Sequence, residues 1–246
     1  MTGMLASVAS LEEAKIVLEY KVDIIDLKNP KFGALGQLEQ DTISSVVKLV
    51  NKRLPVSATI GDMKPDDPKL YNRIINTADL GVNFVKVGLF SKNIPNYFIE
   101  TINDCCRKNI NIIIVIFAEN FVKIDLLEAL MKSNISGVML DTKNKSANSL
   151  CTVMKDKTLG QFIGVAKAHN LVTGLAGSLK VEDISRLMSL RPDYLGFRGA
   201  LCAKKDRVKS LDVKSVIRIR DIISGKNIVN YENIITEEVA MNGTVA

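Results

Sequence analysis

The residues best suited to chemistry are an acid and an amine two positions apart in the run Asp23-Ile24-Ile25-Asp26-Leu27-Lys28-Asn29-Pro30. The apolar centre of the run reads as a strand, and Pro30 stops it. Period-two alternation puts Ile24, Asp26 and Lys28 on one face and Ile25 and Leu27 on the other. Charges on a strand buried on both faces are costly unless paired, so the placement needs a reason. One reading is a structural ion pair; the other is a reactive amine with a base beside it. Lys86 repeats the theme in Phe84-Val85-Lys86-Val87-Gly88, where the two valines share the face that packs on helices and the lysine takes the opposite one. Desolvation or a neighbouring cation makes an amine easier to deprotonate. A neutral amine attacks an aldehyde or ketone to give a Schiff base, whose protonated form is an electron sink. Lys28 and Lys86 both qualify. Asp141 closes Val138-Met139-Leu140-Asp141 on the same face as Met139, where an acid can act as general base or hold a lysine. Lys145, just beyond, reads by itself as a solvated loop lysine.

The rest of the composition narrows the choice. The 246 residues include one histidine, His169, and four cysteines, none in a C-x-x-C pair. A zinc site or a histidine-based triad has little to build from, and no metal or cofactor is expected. Any catalysis falls to Lys, Asp and Glu. His169 and Cys202 read as structural, because Cys202 has no histidine to activate it. The net charge of +6 is spread along the chain without a cluster of basic and aromatic side chains, which disfavours nucleic acid and favours an anionic small molecule. No apolar run approaches the roughly 18 residues that would cross a membrane, and the first residues lack a secretory pattern. The expectation is a cytoplasmic protein with reduced thiols.

Short β-rich runs alternate with stretches of helical period along the whole chain. The strands are read at Met4–Val8, the opening run, Pro55–Ile60, Asn83–Leu89, Ile112–Phe117, Gly137–Asp141, Leu171–Ala176 and Tyr194–Arg198. Helices are read at Leu11–Tyr20 behind a Ser10/Glu13 capping box, from Asp41 to Val50, from Lys69 to Leu80, from Ile94 to Lys108, at Val122–Lys132, within Asn148–Ala168, at Val181–Ser189, and from Asp212 to Ile223. Strict alternation implies parallel strands with right-handed crossovers, and eight such units close a single (β/α)₈ barrel, here spanning 1–225. A doubly wound open sheet is the alternative, but no G-x-G-x-x-G follows the first strand. Residues 226–246 read as a loosely docked or disordered extension, with a subunit contact, and so a homo-oligomer, as the other reading.

In such a barrel the active site lies where the strands end. Those ends bring together Asp26, Lys28, Thr59, Lys86, Glu119, Asp141 and Arg198. The segments Ala176-Gly177-Ser178 and Arg198-Gly199-Ala200 follow strands seven and eight, where glycine-freed backbone amides commonly hold phosphate. Gly177, Ser178, Arg198 and Gly199, with Thr59, are therefore the expected contacts to a phosphorylated substrate.

Several of these segments together resemble the (5-formylfuran-3-yl)methyl phosphate synthases. They are the opening run with Gly33-Ala34-Leu35-Gly36, then Ser57-Ala58-Thr59-Ile60-Gly61-Asp62, Val85-Lys86-Val87-Gly88-Leu89, Met139-Leu140-Asp141-Thr142, Ala176-Gly177-Ser178 and Gly196-Phe197-Arg198-Gly199-Ala200. The resemblance runs in order from about residue 4 to residue 223. It implies a lyase-type (β/α)₈ barrel that joins two glyceraldehyde 3-phosphate molecules into the furan phosphate of methanofuran biosynthesis, without a metal. It also implies Lys28 as the Schiff-base lysine, with Asp26, Lys86, Asp141 and Lys145 moving protons and positioning substrate. Phe117-Ala118-Glu119-Asn120 replaces the family's Tyr-Ala-Asp pattern, and the loop Cys202–Arg207 lacks glycines found in the family. The alternatives are another Schiff-base aldolase for a phosphorylated aldehyde, and a non-catalytic barrel that binds a phosphorylated metabolite.

Overall fold

The computed structural model describes residues 1–121, 128, 130–131, 133–144 and 149–226. Eight strands, β1 (Gly3–Val8), β2 (Ile24–Leu27), β3 (Val56–Thr59), β4 (Phe84–Leu89), β5 (Ile112–Phe117), β6 (Gly137–Asp141), β7 (Val172–Leu175) and β8 (Tyr194–Phe197), close into one barrel in sequence order. Every neighbouring pair is parallel, including β1 with β8. The (β/α)₈ expectation holds. The described helices are α1 (Leu11–Glu19), α2 (Gln40–Val50), α3 (Leu70–Ala78), α4 (Asn96–Arg107), the single turn α5 (Leu150–Val153), α6 (Asp156–Ala168), α7 (Ile184–Ser189) and α8 (Val213–Ile223). Of the helix expected at Val122–Lys132 only Glu128, Leu130 and Met131 are described, and they are helical; the rest of it and the extension beyond 226 lie outside the described residues.

Alternation along the strands divides the apolar side chains between two cores. Outward residues such as Val8, Leu27, Val87, Ile116, Leu140 and Leu195 pack against Ile43, Ile102, Phe162 and Ile219 of the surrounding helices. Inward residues Leu5, Ile24, Val115, Phe117, Met139 and Ala176 fill the barrel itself. The inward core is apolar over much of its depth and turns polar towards the strand ends, where Ser7, Asp26, Ser57, Lys86 and Asp141 are all buried.

Local capping follows the expected chemistry in part. Ser10 accepts from the Glu13 amide at 3.2 Å, and Asp212 caps α8 by accepting from the Ser215 amide at 3.0 Å. The Glu13 carboxylate does not return to Ser10, as a capping box requires. It takes the Ala9 amide at 2.7 Å and the Arg198 guanidinium instead. Asp41 lies inside the first turn of α2, whose N-cap position is Glu39.

Two glycine positions shape the loop after β2. A Cβ on Gly36 would lie 2.3 Å from the carbonyl oxygens of both Asn29 and Phe32, so the chain can fold back on itself only with glycine there. Gly33 has φ +77°, and a Cβ on it would meet the Asp62 carboxylate. Asp62 in turn accepts from the Ala34 amide at 3.0 Å and the Leu35 amide at 2.7 Å. The loop that carries Lys28 is thus clamped from β3's side of the barrel.

Candidate active site

Asp26 is the hub of the inward polar layer. Its register partners in the flanking strands are Ser7 and Ser57, and both donate to it: Ser7 Oγ to Oδ2 at 2.8 Å and Ser57 Oγ to Oδ1 at 2.7 Å. The Lys86 ammonium donates to Oδ1 at 3.0 Å, and Lys28 Nζ lies 4.0 Å from Oδ2. Asp26 is 0 % exposed, Lys86 2 % and Lys28 6 %. Burial pushes the Asp26 carboxyl up, but the ammonium groups of Lys86 and Lys28 and the Ser57 hydroxyl outweigh it. The net effect holds the carboxyl below its ordinary value.

The two lysines differ in what they face. Lys86 is walled off: Gly88 is the next inward position on β4 towards the mouth, and the space a Cβ would occupy there is filled by Phe90 at 2.3 Å and Leu35 at 2.8 Å. Phe90 stacks on Phe117 with ring centroids 4.5 Å apart, so an apolar cover seals that half of the mouth. The other half opens into a cleft of about 1060 Å³, and Lys28 and Asp141 are among its walls.

The far wall comes from the loops after β5 to β8. Glu119 accepts from the backbone amides of Lys143 at 2.9 Å and Asn144 at 3.0 Å, tying the loop after β5 to the one that follows Asp141. Asp141 Oδ1 accepts from the Thr142 amide at 2.7 Å. Gly177 (φ +107°) and Ser178 (φ +50°) make two successive left-handed residues bordering the cleft, with Gly199 and Ala200 nearby. A Cβ on Gly177 would lie 2.8 Å from the Thr142 amide nitrogen, so glycine is required by φ and by space. Lys145, the remaining candidate, lies outside the described residues. His169 follows α6 and precedes β7, at the end of the barrel opposite the cleft. Burial pushes the Cys202 thiol up to about 11, which suits a structural role. Among the described residues no cluster of three His, Cys, Asp or Glu side chains is placed to hold a metal ion.

Two expected phosphate contacts have their donors engaged within the protein. Thr59 is fully buried, and its hydroxyl donates to the Gly36 carbonyl at 2.9 Å, bracing the loop after β2. Arg198 borders the cleft, yet all five of its donors are engaged. Nε donates to the Arg207 carbonyl at 2.8 Å, and Nη1 to Ser7 O at 3.3 Å and Glu13 Oε2 at 2.5 Å. Nη2 donates to Glu13 Oε1 at 3.2 Å and Lys209 O at 2.9 Å. It is a clasp joining α1 to the loop after β8. The Cys202–Arg207 stretch of that loop lacks glycines, and Lys204 and Lys205 take left-handed φ of 56° and 58° in their place. Ser7, Ser57 and Glu13 were not legible as site residues. The available signal was weak: each is a polar side chain on an otherwise apolar face.

The family model described as 4-HFC-P synthase matches residues 4–220. The chain belongs to this family. A (5-formylfuran-3-yl)methyl phosphate synthase from Methanosarcina mazei is 34% identical over 210 residues, covering 81% of this chain and 90% of that protein. One from Methanocaldococcus jannaschii is 31% identical over 217 residues, covering 83% and 92%. Solved structures share the fold alone. Phosphoribosyl anthranilate isomerase from Thermus thermophilus superposes with a TM-score of 0.64 at 10% identity over 92% of this chain and 99% of that one. KGPDC from Streptococcus mutans gives 0.62 at 13% identity over 92% and 98%. The named relatives in this family are synthases, and the strand-end cleft is where such barrels carry their chemistry. Among the described residues no helix is long and apolar enough to cross a membrane.

Proposed function

We propose that this 4-HFC-P synthase family member condenses two molecules of glyceraldehyde 3-phosphate into (5-formylfuran-3-yl)methyl phosphate, for methanofuran biosynthesis, through an imine on Lys28. The observation that carries the reading is the division of labour between two lysines sharing one carboxylate. Lys28 opens onto the cleft, while Lys86 stays behind it, hydrogen-bonded to Asp26 at 3.0 Å. Lys28 attacks carbonyl carbon in its neutral form, which the fixed Lys86 cation favours and the Asp26 carboxylate at 4.0 Å opposes.

In this reading the Lys28 amine adds to the aldehyde of one triose and expels water, giving the imine. Removal of the proton at the adjacent carbon, by Asp141 or by Asp26, gives the enamine. Its carbon attacks the aldehyde of the second triose, forming the new carbon–carbon bond. Ring closure, dehydration, phosphate elimination and hydrolytic release of the lysine complete the sequence. Two trioses then equal one furan phosphate, one inorganic phosphate and two waters, with no oxidant or reductant required. Lys145 is assigned a positioning role with Asp141. The glycine-freed backbone at Gly177, Ser178 and Gly199 is assigned to phosphate. A phosphorylated aldehyde is the only partner the mechanism requires.

The test is to supply glyceraldehyde 3-phosphate alone, follow the absorbance of a furan aldehyde, and trap the imine with borohydride before peptide mass analysis. A furan product with the adduct on Lys28 is expected, and Lys28→Ala should lose the adduct and lower turnover by roughly 10³-fold or more. An adduct on Lys86 would move the nucleophile. A trapped adduct without furan would make the protein a different aldolase.

A further inference from the structure

Arg198 is fully committed to Glu13 and three carbonyls, which leaves open what meets the negative charge of a phosphorylated substrate on the β8 side. Nine residues later, on the same loop, Arg207 also lines the cleft. Among the described residues its guanidinium makes one hydrogen bond, from Nη2 to the Gly33 carbonyl at 3.2 Å, and no carboxylate lies within ion-pair distance. Five donors are therefore served by one acceptor. The nearby acids are already occupied: Asp62 by the Ala34 and Leu35 amides, and Asp141 by the Thr142 amide.

The group is also held in place. The Arg207 carbonyl receives Arg198 Nε at 2.8 Å, so the clasp that immobilises Arg198 fixes the backbone from which Arg207 projects. Desolvation, with the like charge of Arg198 nearby, outweighs the attraction of Asp141 and Asp62 and pulls the guanidinium below its ordinary value. A half-buried cation, preorganised and short of acceptors, is what a bidentate phosphate contact needs.

We infer that Arg207, rather than Arg198, is the arginine that binds a substrate phosphate in this cleft. This rests on the reading of the cleft as a triose-phosphate site and goes beyond it by naming the specificity cation. Two trioses bring two phosphates, and Arg207 lies towards the Lys28 loop through Gly33, whereas Gly177 and Ser178 lie on the β7 side. The site therefore selects phosphorylated over unphosphorylated aldehydes. Phosphate bridging from Arg207 towards Gly33's loop also steadies the segment that carries Lys28.

The experiment measures inorganic phosphate binding to the full chain by calorimetry, in wild type and in Arg207→Ala, Arg207→Gln and Lys205→Ala. Thermal melts report folding. Arg207→Ala is expected to weaken phosphate binding about tenfold or more, with Lys205→Ala, an exposed neighbour, within about twofold. Arg207→Gln, which keeps a donor for Gly33 while removing the charge, carries the test if the alanine variant unfolds. Wild type that binds no phosphate at millimolar concentration overturns the assignment. So does a folded Arg207→Gln that binds as tightly as wild type, or a Lys205→Ala that loses as much as the Arg207 variants. Phosphate binding through Arg207 in a protein that makes no furan would overturn the proposed reaction and leave this assignment standing.

Discussion

Lys86 Nζ donates a 3.0 Å hydrogen bond to Asp26 Oδ1 in a part of the barrel closed to solvent. The two charges compensate one another where either alone would be severely desolvated. The consequence is a pH dependence with a definite sign. The folded Asp26 carboxyl titrates below its ordinary value, so the unfolded chain binds that proton first as pH falls. Its contribution to stability is complete above about pH 4 and is lost as pH drops further, through the folded value. Unfolding free energy measured in urea between pH 6 and pH 3 should fall less steeply in Asp26→Asn than in wild type. Equal slopes in the two proteins would show that Asp26 is not held ionised by Lys86 and Lys28.

Ser57 makes a separable contribution. Its hydroxyl donates 2.7 Å to the same carboxylate oxygen that receives Lys86. Ser57→Ala should cost about 1.5–3 kcal/mol, the range for a hydrogen bond to a charged group. Because that bond helps hold the carboxyl down, the acidic limb of the activity profile should move to higher pH in the variant. A profile that stays in place while stability falls would make Ser57 a packing residue only.

The difference between what could and could not be read beforehand follows from these same residues. Asp26, Lys28, Lys86 and Asp141 were legible because a charge on the inward face of an apolar strand is improbable without a role, and alternation gives its direction. Ser7 and Ser57 were not, since serine is common in exposed and buried strands alike, and only the register Ser7–Asp26–Ser57 puts them on the carboxylate. For Arg198 and Thr59 it was the intramolecular partners that could not be read. Both stand at strand ends, but their partners are a helix residue and backbone carbonyls brought in by loops whose paths the chain order does not reveal. The missing glycines after Cys202 likewise gave no hint that two lysines would take the left-handed conformations themselves.

The Glu13–Arg198 pair should behave as a clasp whose halves are costly to remove one at a time. Arg198→Lys keeps the charge but cannot supply the planar, five-donor fork that reaches Glu13, Ser7, Arg207 and Lys209 together. Arg198→Met, which leaves the buried Glu13 carboxylate without a cation, is expected to lose about 3–5 kcal/mol, and Arg198→Lys less. Replacing both residues, as Glu13→Leu with Arg198→Met, should be less damaging than the sum of the single changes, because no buried charge is left unpaired. Chemical denaturation of wild type, Arg198→Lys, the two single variants and the double variant checks this. Additive losses would mean that the two side chains stabilise the loop independently.

Glu119 should act on catalysis through the backbone it holds. Its carboxylate receives the Lys143 and Asn144 amides, so it fixes the start of the loop that leaves Asp141. Glu119→Ala frees that loop without touching Lys28, Asp26 or Lys86. Imine formation should persist, and the later steps that need the Asp141 side of the cleft should slow. The expected result is a trapped Lys28 adduct in near wild-type yield with kcat lowered roughly 10- to 100-fold, the scale of a small misplacement of a reacting group. Glu119→Gln keeps one acceptor oxygen for those amides and should recover part of the loss. If the alanine variant also fails to trap the imine, Glu119 supports the whole cleft, and the separation of the two lysine-side and Asp141-side steps would have to be abandoned.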